Sequence, residues 1–244
     1  MILKYLMVFL LGLLWLSSGV AADSLPVTPF EARYNGFVAL TDAPINMRVN
    51  GKLEMSLRDR GNGQYRMDYE LKGLVGSVEA RSKGIFQDDN LRPLRFQQKI
   101  KGIKQSRTDM DFDWQQNTLA VSEDEESETL PLNERVVDPL SLHLLVMWDM
   151  QQNQTPRQYT LVSGVRLKDY RIIMEGEEIL QTPVGDLRTL RVRSSRVKEG
   201  SDRVTKLWLA PELNYLPIQM VHENDGKESM RMLLEEVKEG EEGN

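Results

Sequence analysis

Val136 to Gln152 reads V-V-D-P-L-S-L-H-L-L-V-M-W-D-M-Q-Q and breaks the rule that the rest of the chain obeys. On either side of it, apolar and polar residues alternate with period two, the pattern of half-buried β-strands. Here Leu140, Leu142, Leu144, Leu145, Val146, Met147 and Trp148 instead cover most of a helical circumference. Asp138 is a good N-cap, and Pro139 suits the first helical turn, where a missing N–H costs nothing. A helix apolar nearly all round is a buried helix. At about 1.5 Å per residue it spans about 21 Å, too short to cross a bilayer. The fold class that follows is mainly β: a large, strongly curved antiparallel sheet, unclosed or a half-barrel, with one main helix on its concave side.

The alternation is cleanest over Ile45 to Leu57, where Met47, Val49, Leu53 and Met55 share one face and Arg48, Asn50, Lys52 and Glu54 the other. Gly51 interrupts that series and predicts a bulge or bend. Arg58 to Gly63 is a turn, and Tyr65, Met67, Tyr69 and Leu71 return as the partner strand. Strands are expected at 30–38, 73–82, 83–87, 92–100, 105–114 and 119–121. After the helix they are expected at 159–162, 165–174, 178–182, 187–196, 203–209, 216–222 and 227–237. The Glu123 to Glu128 run is expected as an exposed loop. The total is about a dozen strands in a single domain, 23–237, followed by an acidic frayed tail, 238–244.

The first 22 residues read as a secretory signal peptide: basic Lys4, an apolar run from Leu6 to Leu16, and a small-residue cleavage site at Val20-Ala21-Ala22. The expected destination is the periplasm. Cysteine is absent, so neither disulfides nor N-terminal lipidation is available. Removing Lys4 from the 31 Lys and Arg leaves 30 against 37 Asp and Glu, a net charge of −7. That balance argues against nucleic acid as a partner, because phosphate binding needs a basic surface.

Catalytic motifs are not found. Asp109, Asp111 and Asp113 share a strand face, but they lack the glycine turn and distal glutamate of a calcium loop, so they read as a solvated face. His143 and His222 are the only histidines. Without cysteine they make a zinc site improbable, and no Gly-x-Ser-x-Gly elbow accompanies Ser141 or Ser163. No cofactor, metal or enzymatic activity is expected.

Three passages go beyond pattern: D-P-L-S-L from Asp138 to Leu142 running on to Trp148, T-P-V-G-D-L-R-T-L-R-V from Thr182 to Val192, and T-K-L-W-L-A-P-E-L-N-Y-L-P from Thr205 to Pro217. Together they resemble exported bacterial proteins grouped as domain of unknown function 3108, a family with no agreed activity and no catalytic residues to carry over. Some members look like lipoproteins, and this chain departs from them in lacking the cysteine. One helix against a large antiparallel sheet is also similar in architecture to the periplasmic lipoprotein carriers. The resulting expectation is an envelope protein that binds a lipid, an acyl chain or a lipidated or unfolded partner, with Leu144, Leu145, Trp148, Trp208 and Tyr215 lining the site. The competing expectation is an interaction module of an envelope complex, acting through an exposed strand edge or the acidic loop.

Overall fold

The computed structural model describes residues 25–40, 47–87, 89–102, 105–154, 158–197 and 203–240. The expected signal peptide, 1–22, and residues 241–244 of the expected tail lie outside the described residues. Among the described residues, fifteen strands form one sheet. The first eight are β1 (Phe30–Leu40), β2 (Met47–Asp59), β3 (Gln64–Gly73), β4 (Gly76–Gln87), β5 (Asn90–Gly102), β6 (Ser106–Asp113), β7 (Thr118–Glu123) and β8 (Glu126–Pro131). Two-residue β9 (Val136–Val137) leads into α1 (Pro139–Gln151). The rest are β10 (Gln158–Ser163), β11 (Arg166–Thr182), β12 (Gly185–Arg196), β13 (Val204–Ala210), β14 (Leu216–Asn224) and β15 (Lys227–Glu239).

The spatial order is β8-β7-β6-β5-β4-β3-β2-β1-β15-β14-β13-β12-β11-β10-β9. Two meanders therefore grow outward from the central pairing of β1 with β15, and β8 and β9 are the edges. Flat, fifteen strands at about 4.8 Å spacing would put those edges about 67 Å apart. Only residues 132–135 separate β8 from β9 in sequence, a reach of about 19 Å. The sheet must roll until its edges come close, and Gly164, after β10, sits against Glu123 of β7.

The alternation places the core. Across β1 to β7, Phe30, Leu57, Met67, Ser82, Phe96, Met110 and Val121 face one another in register and are all buried. Gly51 causes no bulge: β2 pairs continuously through it with β1 and β3, and its missing side chain makes room for Met232. The expected pair 73–82 and 83–87 is one strand, β4, with a register shift at Lys83/Gly84. Gly84 is needed there because the Tyr65 ring lies across its face; a Cβ would meet the Tyr65 hydroxyl at 2.5 Å. Likewise β11 runs through Glu175-Gly176 as a bulge rather than a turn. The acidic run is a hairpin, not a loop, with Asp124 at φ 53 in its turn and β8 as an exposed edge strand. Strand β15 continues through Glu239, two residues past the expected boundary, and Gly240 N–H bonds Pro29 O.

Candidate functional site

The helix starts where the sequence puts it. The Asp138 carboxylate accepts from the backbone N–H of Leu140 (2.9 Å) and of Ser141 (3.0 Å) through Oδ1. Its Oδ2 accepts from the Ser82 hydroxyl (2.8 Å) and from the Ser141 hydroxyl. Tyr65 and Ser82 in turn bond Ser141, at 2.7 and 2.9 Å. These four side chains fasten the helix N-terminus to β3 and β4. Burial pushes the Asp138 carboxyl above the usual carboxylate range, against the pull of its hydrogen bonds. Burial, then the Asp138 charge, raises the Tyr65 phenol. Asp138 and Ser141 have no exposure at all, so this cluster fastens the helix within the core.

Further along the helix, Trp148 packs edge-on to Phe86, with ring centroids 5.8 Å apart. The same helix also reaches the other half of the sheet. Tyr159 of β10 donates to Asp149, and Gln151 Nε2 donates to the Asn214 carbonyl (3.2 Å) in the corner between β13 and β14. His143 stands close enough to His222 of β14 for its charge to act on it. Burial first, then that neighbour, holds His222 down to about 4, and burial lowers His143 as well. Both rings are therefore neutral at pH 7. His143 Nδ1 lies 3.0 Å from the Pro139 carbonyl, and His222 Nδ1 lies 2.8 Å from the Thr205 hydroxyl.

The helix-bearing face is not covered evenly. Near the start of β1 the row from Phe30 to Val121 is buried throughout. Near the other end a second row runs in register through Val49, Val38, Met230, His222, Thr205, Ser194 and Ile172. In that row Val38, His222, Thr205 and Ser194 are partly exposed, as are Val78 and Ile100 at the same end and Leu142 and Leu145 on the helix. Sequence reasoning did not foresee that His143 and His222 come within electrostatic range of each other. The period-two pattern assigns a residue to a face but says nothing about which distant strand a helix will touch.

Of the five residues expected to line a site, Leu144 and Trp148 are buried on the helix and Leu145 is half-buried. Tyr215 follows Asn214 in the corner, both with positive φ (61° and 53°), and its N–H bonds Ala210 O at 2.8 Å. Asn214 brings that corner to the helix end. Trp208 does not join them. Leu207 and Leu209 pair with Val192 and Leu190 on the helix-bearing face, so Trp208 between them points to the opposite face. There its indole N–H donates to Glu178 (2.8 Å).

That opposite face carries an open groove of about 730 Å³ over β1 to β6 and β15, lined by Arg33, Glu54, Asp68, Glu70, Arg81 and Lys99 among others. Six carboxylates there match six cations, and they engage one another: Arg58 and Arg81 both pair with Asp68, at 3.7 and 2.6 Å. Such exposed, paired ladders stabilise little and leave no net charge to attract a partner. Asp109 is likewise taken up by Arg107 and Gln97, and Asp113 caps the turn at Gln115 and Gln116. Among the described residues no group of three or more His, Cys, Asp or Glu is placed to hold a metal ion, and no helix is long and apolar enough to cross a membrane.

A single unclosed sheet, antiparallel except for the parallel pairing of β9 with β10, and rolled so that one buried helix touches both of its halves, defines a barrel-like architecture. The chain belongs to the family described as "Protein of unknown function (DUF3108)", whose family model matches residues 30–234. It is also similar in fold to a solved structure titled a "Beta-barrel-like Protein of Domain of Unknown Function DUF1849 from Brucella abortus". The two are 14% identical, the match covers 90% of this chain and 100% of that one, and the TM-score is 0.62. At that identity the likeness speaks for the fold alone. None of the curated proteins compared with the chain matches it.

Proposed function

We propose that this is an exported, non-enzymatic envelope protein that holds an apolar ligand between α1 and the concave side of the sheet, in the manner of a lipoprotein carrier. The supporting observation is the uneven cover of the helix-bearing face: sealed along the row from Phe30 to Val121, and less so where Val38, Val78, Leu142 and Leu145, packed against the core, remain partly exposed. Apolar surface left accessible beside a core is where an acyl chain gains most from leaving water, at about 0.8 kcal/mol per buried CH₂. N-phenyl-1-naphthylamine, an uncharged fluorescent probe, should bind saturably. Leu145→Asp, checked for folding by circular dichroism, should weaken that binding at least about tenfold, a loss of about 1.4 kcal/mol. Asp111→Ala, on the outer face, should leave it unchanged. Equal binding by the folded variants, or no enhancement with any of them, would sink the proposal. Export carries its own test: the protein recovered from the periplasm should have the mass of a chain beginning at Asp23.

A second reading, an interaction module, draws on a different feature. Among the described residues, β10 pairs with β11 only up to Arg171, and β13 pairs with β12 only from Leu190. The hairpin beyond has free strand edges and carries exposed Ile173, Met174, Ile179 and Val184. Such an arm suits strand addition by a partner protein.

A further inference from the structure

The part-open end of the helix-bearing face changes character in three steps on three adjacent strands. On β11, buried Ile172 gives way at two-residue intervals to Tyr170, Lys168 and Arg166; on β12, Val192 gives way to Ser194 and Arg196; on β13, Leu207 gives way to Thr205, with Arg203 next in that direction. The register sets these changes side by side, with β11 one step behind its neighbours: Ile172 faces Ser194, Ser194 faces Thr205, and Tyr170 faces Arg196. Alternation keeps each series on the face that carries the helix. Moving outward in steps of about 7 Å, that face is first apolar, then hydroxylic, then cationic.

The cations are close together and only partly offset. Burial first, and then the charges of Arg196, Arg203 and Arg166, lower the Lys168 ammonium, while Glu123, reaching from β7 across the gap between the sheet edges, offsets them in part. Among the described residues none of the four takes part in an ion pair, although ion pairs are common elsewhere on this sheet. Lys168 spends one N–H on the Ser163 hydroxyl. The Arg196 Nε–H is buried and without a hydrogen-bond partner among the described residues. Lys168 and Arg196 are part-buried and Arg166 and Arg203 are exposed beside them; gathering cations around an unsatisfied, buried guanidinium N–H is costly unless an anion arrives to share them. Guanidinium and ammonium groups together suit a carboxylate or a phosphate oxygen.

We infer that the ligand is an anionic amphiphile: its acyl chain lies against the helix and the apolar rows, and its carboxylate or phosphate headgroup is gripped by Arg166, Lys168, Arg196 and Arg203. This deepens the apolar-ligand reading and rests on it. The test is calorimetric titration of the purified protein, below micelle formation, with four probes sharing a dodecyl chain: dodecanoate, dodecyl phosphate, dodecyl maltoside and dodecyltrimethylammonium. Inorganic phosphate is the chain-free control. At least one anionic probe should bind about tenfold or more tightly than the neutral one, given charge-assisted hydrogen bonds of about 1.5–3 kcal/mol. Whichever of the two anionic probes binds more tightly identifies the headgroup. The double variant K168Q/R196Q should lose that preference while retaining its affinity for dodecyl maltoside. Equal affinity for all headgroups, or a preference that survives in the double variant, would overturn the inference and leave apolar binding standing. Failure of every dodecyl probe would defeat the apolar-ligand reading beneath it. Inorganic phosphate binding as tightly as dodecyl phosphate would overturn the amphiphile assignment in favour of a simple anion site.

Discussion

Asp138→Ala is expected to lower the stability of the protein by about 3–4 kcal/mol, or about 10 °C in Tm. The side chain does two jobs. As N-cap it satisfies the Leu140 and Ser141 N–H groups, and as acceptor it anchors Ser82 and Ser141, with Tyr65 joined through Ser141. Alanine removes the cap and leaves buried hydroxyls short of an acceptor at a site with no exposure. The pH dependence is a sharper readout. Burial raises the folded-state pKa of Asp138, so the folded protein keeps this proton where the unfolded chain, with a pKa of about 3.9, has already lost it. The contribution is complete below the unfolded pKa and is lost as pH climbs through the raised folded value. Asp138→Asn keeps the capping oxygen and does not ionise. The stability of the native protein relative to this variant should therefore fall as pH rises from about 4. A gap that stays flat or widens with pH in urea titrations would show that Asp138 is not held as described.

The second large effect is expected at Gly36→Ala, in the middle of the sheet where the two meanders join. An added Cβ would lie 1.8 Å from the Arg231 carbonyl oxygen and 2.9 Å from the Met232 Cα. Those atoms are backbone and cannot turn aside. Strands β1 and β15 would have to part and lose ladder hydrogen bonds, at a cost of about 3 kcal/mol or more. Gly51→Ala is the matched control. Its nearest neighbour, also at 2.9 Å, is the terminal methyl of Met232, the far end of a flexible side chain. That substitution should cost no more than about 1 kcal/mol. Urea midpoints at unchanged slope separate the two, and similar losses at both glycines would contradict the close approach of β1 to β15.

What the sequence showed in advance was the part of the fold set by local pattern. The helix is legible because seven apolar residues in nine positions have no period-two solution, and Asp138-Pro139 marks its start. The face of each strand in the first meander is legible because large apolar residues such as Leu53, Met55, Leu57, Tyr65, Met67, Met110 and Phe112 recur there at every second position. Where local pattern and long-range pairing disagree, the sequence misleads. Glu126 to Glu128 carries the charge of a loop, yet pairs as an edge strand because only one side of an edge needs a partner and both faces of this strand stay wet. Trp208 reads as core by type, and it is buried, but on the far face, where its indole N–H bonds Glu178, rather than beside the helix. The candidate site was half visible. Leu144, Leu145 and Trp148 follow from the helix. The cationic end was present as the change from Ile172 to Lys168, from Val192 to Arg196 and from Leu207 to Arg203. It gained meaning only once the register aligned three separate strands.

The most direct test of the apolar-ligand account is native mass spectrometry of the protein purified from the envelope, and again after incubation with a total lipid extract of that envelope. The account predicts a saturable adduct of amphiphile mass that organic extraction releases and Leu145→Asp diminishes. A clean apo mass in both preparations would contradict it and shift attention to the exposed β11–β12 hairpin as the working surface.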